Sequence, residues 1–313
     1  NKGEMIHKIE VRNFPYLGDM KLNTVQGIGA YNELECNTTN LVVIDEGTPI
    51  DGFDLLSLML CTLSMDMRTV LTTYFKEAPT FIYLDYEDEG YIYKYTAAIT
   101  KNGFIKETLH EANSDGSFTQ IHLPKTNVFF SNISSAHDNF FRGLVYFNYI
   151  VLDDVKHLKE NIDHGTYVCY CDMVREGMGY LDNYVCLLVD IVRELGMLDV
   201  KDIVFDNSAT QIYFEGDDKH DYSYLWQQSE AFINAFFLAI CILEAVLYGK
   251  TLFVTNVDKY QEKLAARIYR VFDKATQETR DAQLFMSCYP TLLERVFAKD
   301  EQVFRPSYKL QSK

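Results

Sequence analysis

Three runs of strand length are almost free of polar residues: LVVI at 41–44, the LFV of KTLFVT at 252–254, and the LFM of AQLFMS at 284–286. A strand with one wet face alternates apolar and polar residues. One covered on both faces does not, which is the habit of parallel sheets packed between helices. NLVVI therefore reads as a central strand. DLLSLMLCTLSMDM follows it with helical spacing, with Asp54 placed to cap its start. The later runs alternate with a long helix from Tyr224 to Tyr248 that stops at Gly249, a helix from Gln261 to about Phe272, and a short TLLERVF helix. That alternation predicts an α/β half.

Elsewhere the pattern is different. IHKIEVRNF alternates at period two, with Ile6, Ile9 and Val11 on one face. TFIYLDYEDEG, YIYKYTAAIT and FIKETL predict an antiparallel layer, with Asn102-Gly103 as a type I′ hairpin signal. Tyr91, Tyr93 and Tyr95 share a face of the middle strand, as cross-strand packing requires. From Asp138 to Leu198 the expectation is mainly helical, clearest in LDNYVCLLVDIVRELG with Gly196 as its stop, before a strand at TQIYFEG.

The chain has 313 residues, 48% of them hydrophobic and 24% charged, enough for a substantial core and too apolar for disorder. A formal charge of −16 disfavours nucleic acid, whose non-specific affinity comes from Lys and Arg displacing phosphate counterions. Lys309 and Lys313 would make only a small basic patch near the C-terminus. Seven scattered cysteines, with no apolar leader before Met5, fit a reduced, cytoplasmic protein. The apolar stretch from Ala231 to Tyr248 contains Asn234 and Glu244 and reads as a buried helix, so no membrane association is expected.

The order of these elements resembles the ABC-type, AAA-family ATP-binding heads of SMC, RecF and OLD-like proteins, over nearly the whole chain. IHKIEVRNF is similar to their opening strand. NLVVI followed by DLLSLML is similar to the strand and helix that bracket the Walker A loop. AFINAFFLAICILEAVLYGKTLFVTNVDKYQEKLAARIYRVF is similar to the signature helix, the Walker B strand and the segment beyond it, and AQLFMSCYPTLLE to the switch region. The resemblance implies a P-loop-like α/β head with an antiparallel β layer and a mainly helical inserted lobe. Residues 1–137 and 224–313 would be the two parts of the head, and 138–223 the lobe.

The motifs that carry chemistry in that family are missing. A P-loop is G-x-x-x-x-G-K-[ST], its amides and Lys holding phosphates and its hydroxyl Mg²⁺. Here the stretch reads Glu46, Gly47, Thr48, Pro49, Ile50, Asp51, Gly52, Phe53: Gly52 takes the place of the Lys and Phe53 that of the hydroxyl. Asp45, Glu46, Asp51 and Asp54 would oppose phosphate, and Pro49 removes an amide donor. Three lost charge-assisted bonds, at roughly 1.5 kcal/mol each, weaken binding on the order of a thousandfold. Thr255 and Asn256 stand where Walker B carries its Asp and Glu, and Asp258 falls beyond the metal-binding position. Tyr224–Ser229, with the bulky Trp226, replaces the signature turn, and Cys288 stands at the switch His position.

Other constellations carry less. His164, Cys169, Cys171 and Asp172 lack a second ligand pair at zinc spacing, so buried structural cysteines are expected and no metal. VVIDEG and IVLDDV each read as a strand followed by two acids. Asp45, Glu46, Asp153 and Asp154 would gather Mg²⁺ for phosphodiester hydrolysis if they met. The acidic runs at 85–89 and 215–221 read as solvated loops, and no nucleophile motif accompanies any His. The expected function is a catalytically inactive pseudo-ATPase, without cofactor, serving as scaffold or regulatory subunit. Its partner would be a second copy, an intact ATPase or an effector, met through a surface including Trp226, with Phe232 and Phe236 either beside it or in the core. The alternatives are the Mg²⁺-dependent nuclease and an ATP-binding regulator that does not hydrolyse.

Overall fold

The computed structural model describes residues 5–24, 41–45, 50–61, 74–88, 90–123, 144–148, 169–175, 178–206, 209–216, 221–255, 262–279, 282–288 and 303–304. Within it the three apolar runs are neighbours. Strands β3 (Leu41–Asp45), β14 (Gln283–Cys288) and β13 (Thr251–Thr255) lie side by side and parallel, β14 in the middle. Strand β8 (Leu144–Asn148) continues the parallel sheet beyond β13, and β9 (Cys169–Tyr170) pairs antiparallel to β8. On the far side β15 (Val303–Phe304) runs parallel to β3.

Period two along these strands divides their side chains between two cores. Leu144, Tyr146, Phe253 and Phe285 enter one core, Val145, Phe147, Leu252, Val254, Leu284 and Met286 the other. The second core is built around helix α4 (Glu230–Tyr248), buried without a break from Phe232 to Ala245. Ser229 caps it, its Oγ accepting from the Phe232 amide at 3.2 Å, and Gly249 ends it. By length and composition α4 is apolar enough to cross a membrane, but here it is the central helix of a core. Helix α5 (Glu262–Thr279) adds Leu264, Ala265, Ile268, Val271 and Phe272 to that core, one apolar stripe at helical spacing.

The first core lies between the parallel sheet, helix α1 (Ile50–Cys61) and an antiparallel sheet. Its strands run in the order β2 (Gly18–Asn23), β1 (Met5–Phe14), β4 (Thr80–Asp88), β5 (Tyr91–Thr100), β6 (Gly103–Ala112) and β7 (Phe118–Ile121). Tyr93 and Tyr95 are buried as cross-strand packing requires, Tyr93 stacked on Tyr86 with centroids 5.2 Å apart, whereas Tyr91 at the strand end is exposed. The β5–β6 hairpin forms with a different turn from type I′. Thr100 pairs with Gly103, so Lys101 and Asn102 are the central residues, and the positive φ of 108° falls on Gly103 after them. The register shift follows just beyond the turn, where Ile105 is the extra residue between Phe104, paired with Ile99, and Lys106, paired with Ala98.

The segment from 138 to 223 departs most from expectation. Among its described residues are β8, inside the parallel sheet, and a separate antiparallel sheet of β10 (Val200–Asp206), β11 (Ala209–Phe214) and β12 (Tyr222–Tyr224). Helix among the same described residues is α2 (Asp172–Arg175), a 3-10 segment at Met178–Tyr184 and α3 (Val185–Glu194). The long helix expected from Tyr224 begins instead at Glu230, after β12 and a 3-10 turn at Leu225–Gln227. The expected TLLERVF helix lies outside the described residues.

Two buried polar arrangements tie distant segments together. The Gln283 side chain accepts from the Ile6 amide at 2.8 Å, donates to the Ile6 carbonyl at 3.0 Å, and accepts from Thr251 Oγ1 at 3.2 Å, joining the two large sheets. The Glu244 carboxylate, 1% exposed, accepts from the Cys171 thiol at 2.6 Å and from the amides of Asp172 at 3.1 Å and Met173 at 2.8 Å. Lys250 Nζ completes it, 2.7 Å from Glu244 and 3.0 Å from Asp172. Burial opposes the Lys250 charge, but the attraction of Glu244 and then Asp172 outweighs it and holds the ammonium pKa above its ordinary value.

Candidate functional site

Two of the residues singled out, Asp54 and Thr255, meet at the C-terminal edge of the parallel sheet. Helix α1 starts at Ile50, so Asp54 lies in its second turn and is no cap. Its Oδ1 accepts from Thr255 Oγ1 at 2.6 Å, at the last position of β13, and from the Tyr146 hydroxyl of β8 through a short hydrogen bond. Thr255 is fully buried and Tyr146 nearly so, hence this carboxylate is held by two hydroxyls from two strands.

Two residues earlier, Gly52 lies under the turn that joins β1 to β2. A Cβ built there would stand 2.9 Å from Leu17 Cβ, 3.0 Å from the Leu17 amide nitrogen and 3.1 Å from the Tyr16 carbonyl carbon. No side chain fits that position without moving the turn. The turn itself is strained, with Asn13 at φ 53° and Tyr16 at φ 62°. Asn13 is fixed by its amide donating to Asp19 Oδ1 at 2.8 Å and its side chain donating to the Pro79 carbonyl at 3.1 Å. Phe53, 1% exposed, packs its ring 6.2 Å from that of Phe253, which stacks on Phe285 at 5.1 Å. The position compared with a metal-binding hydroxyl therefore belongs to the core.

Gly52→Ala is expected to cost about 1–3 kcal/mol, the usual penalty of overpacking, and Gly52→Lys no less, without gain of nucleotide affinity. Urea midpoints of the two variants, with and without Mg·ATP, check this. A Gly52→Lys protein as stable as the parent would show that the turn yields freely.

Asp45 and Cys288 are register partners at the C-terminal ends of β3 and β14, so the backbone brings these two expected positions together. Their side chains and that of Asp51 lie outside the described residues, as do Glu46, Gly47, Thr48, Pro49 and Asn256 altogether. Asp153, Asp154 and His164 lie outside as well. β3 and β8 are three strand steps apart in the sheet, about 14 Å at the usual spacing. Cys171 is buried and its thiol donates to Glu244, as a structural cysteine. Among the described residues no group of three or more His, Cys, Asp or Glu side chains is placed to hold a metal ion.

Trp226 is half-buried against the core and stacks on Tyr224, with centroids 5.7 Å apart and planes within 10°. Phe232 and Phe236, weighed as its companions, are 4% and 0% exposed and belong to the core. The residues that complete the site, Tyr146 and Leu17, carry no sequence signal as functional positions. Asp54 is legible as a cap and as one of four carboxylates opposing phosphate, but not as a bonding partner of Thr255, which is 201 residues away.

No protein-family model matches the chain, and no curated protein matches it. Among solved structures it is similar to the SMC head domain from Thermotoga maritima, with a TM-score of 0.48 and 9% identity, over 96% of this chain and 94% of that one.

Proposed function

We propose that the chain is an ABC-type ATPase head that has lost nucleotide chemistry and serves in the cytoplasm as a scaffold or regulatory subunit, acting through protein partners. What supports the fold assignment is the adjacency of β3, β14 and β13, because a phosphate-loop strand, a switch strand and a Walker B strand must stand side by side. The single observation that carries the loss of chemistry is the bond between Asp54 and Thr255. A P-loop enzyme needs a hydroxyl on the helix and a carboxylate on the strand, both turned to Mg²⁺. Here the carboxylate is on the helix, the hydroxyl is on the strand, and each satisfies the other. With Gly52 closed over by Leu17, these residues do not fit Mg·ATP, and no catalytic step is assigned to them.

The expected result is that Mg·ATP at millimolar concentration leaves the melting temperature unchanged. A ligand present at 100 times its Kd would add about 2.7 kcal/mol of stability. A clear nucleotide-dependent rise in melting temperature would overturn the inert half of the proposal. The partner half is tested by co-purification from the native host: recovery as an isolated monomer, with Trp226→Ala harmless to biological activity, would remove it.

A further inference from the structure

Strand register places three aromatic rings, Tyr213, Tyr222 and Tyr224, on the outward face of the β10–β11–β12 sheet, and the half-buried Trp226 of the following 3-10 turn stacks on the last of them. Ile203 and Ile212 pair across β10 and β11 and point into the core, so their neighbours Asp202, Val204 and Asp206 on β10 and Gln211 and Tyr213 on β11 point outward. Tyr213 pairs with Tyr222 and Gln211 with Tyr224, which extends the outward face onto β12. The rings follow in sequence of contact: Tyr213 to Tyr222 at 5.7 Å and 49°, Tyr222 to Tyr224 at 5.3 Å and 77°, Tyr224 to Trp226 at 5.7 Å and 10°. The Tyr222 and Tyr224 hydroxyls are 3.3 Å apart at the exposed end. Within the described sheet, β12 pairs with β11 alone and forms its edge. Tyr222 and Val204 are each 40% exposed, and Asp202, Asp206 and Asp221 are exposed beside them.

We infer that this ribbon is a docking site for an extended, proline-rich segment of a partner protein carrying Arg or Lys. Tyr222 and Tyr224 meet edge to face, so the ribbon presents ring edges and ring faces in alternation rather than one flat platform. A polyproline II segment has three residues per turn and no internal hydrogen bonds, so its prolines pack on the outward ring surfaces while its free carbonyls accept from the tyrosine hydroxyls. The carboxylates of Asp202, Asp206 and Asp221 select the sign of the partner's charge, and the exposed rings add attraction for a cation. Charge also argues against single-stranded nucleic acid, which uses aromatic platforms inside basic grooves, on a chain of net charge −16. This inference rests on the partner-binding half of the proposed function and not on its ATP-inert half.

Trp226 is the sole tryptophan, so the fluorescence of the unmodified full chain reports this face. Titration with a synthetic peptide of repeated Pro-Pro-Arg is expected to give a saturable change in tryptophan emission that weakens as salt is added. The double variant Tyr222→Ala/Tyr224→Ala should bind on the order of tenfold more weakly. Asp202→Lys/Asp206→Lys, which leaves the rings in place, should lose the preference over a Pro-Pro-Glu peptide; circular dichroism melts establish that both variants are folded. No change at millimolar peptide, an equal response to Pro-Pro-Glu in the parent, an equal response to oligouridylate, or self-association that hides Trp226 would each overturn the inference. Failure of peptide binding alongside inertness to ATP sinks this inference and leaves the inert reading intact. A nucleotide-induced melting shift alongside peptide binding does the reverse.

Discussion

Glu244→Ala is expected to destabilise the protein by about 3–5 kcal/mol, the range seen when one partner of a buried ion pair is removed. Three losses combine. Lys250 keeps only Asp172, the amides of Asp172 and Met173 lose their acceptor, and the Cys171 thiol loses its own. Glu244→Gln keeps much of the shape and should cost less. Adding Lys250→Met to Glu244→Gln should recover part of that loss, because the stranded charge goes with it. Urea unfolding of the single and double variants measures the coupling, and a Glu244→Ala cost below about 1 kcal/mol would reduce the cluster to ordinary surface pairing. The pH dependence follows from the raised Lys250 pKa. The stabilisation is fully present below the unfolded lysine value, about 10.4, and is lost as pH climbs through the higher folded value. The parent should therefore lose more stability at strongly alkaline pH than the Lys250→Met variants.

Gln283→Leu is expected to cost about 2–4 kcal/mol, since an orphaned buried donor costs about 1–3 kcal/mol in addition to the bonds lost. The Ile6 amide is that orphan. The Ile6 carbonyl keeps its bond from Thr24 Oγ1 at 2.5 Å, so the damage is one-sided. Gln283→Glu should be worse near neutral pH, because a carboxylate would face the Ile6 carbonyl where the amide NH₂ donates. Acidification that protonates this carboxyl should restore part of the difference. Hydrogen exchange at the Ile6 amide provides the local reading: protection unchanged in Gln283→Leu would mean that the tie between the sheets is not made by this side chain.

The parallel sheet was legible where burial removes alternation. LVVI, LFV and LFM have no polar face to present, so their strand character follows from composition, whereas their place side by side in one sheet is an expectation of the family resemblance alone. LVYFN at 144–148 belongs to the same sheet but was read as helix, since a short apolar run bordered by further aromatic residues has no period to choose by. The start of α4 was misplaced by six residues because apolar and aromatic residues run on through Leu225 and Trp226. Ser229 followed by Glu230 was the capping signal available. Cys171 is buried as a structural cysteine would be, yet nothing near it in the chain points to Glu244, 73 positions away. The same limit applies to the site: Thr255 is visible as a missing carboxylate, while Asp54 as its partner emerges only when α1 is laid across β13.

The bond from Ile6 to Gln283 spans 277 residues of chain, and it has a consequence for synthesis. The antiparallel sheet from β1 to β7 is contiguous in the chain apart from the insertion of β3 and α1, so most of its pairing is complete once residue 121 has been made. One face of that sheet is nevertheless covered by Phe253 and Phe285, which arrive much later. At synthesis rates of about 5–20 residues per second, Ile6 waits about 14–55 seconds for its partner. Throughout that interval an apolar sheet face and an unsatisfied strand end are open to solvent and to neighbouring nascent chains. The joint that secures the finished molecule thus sets the length of its most vulnerable period, and a chain released before β14 has been made would remain in that state.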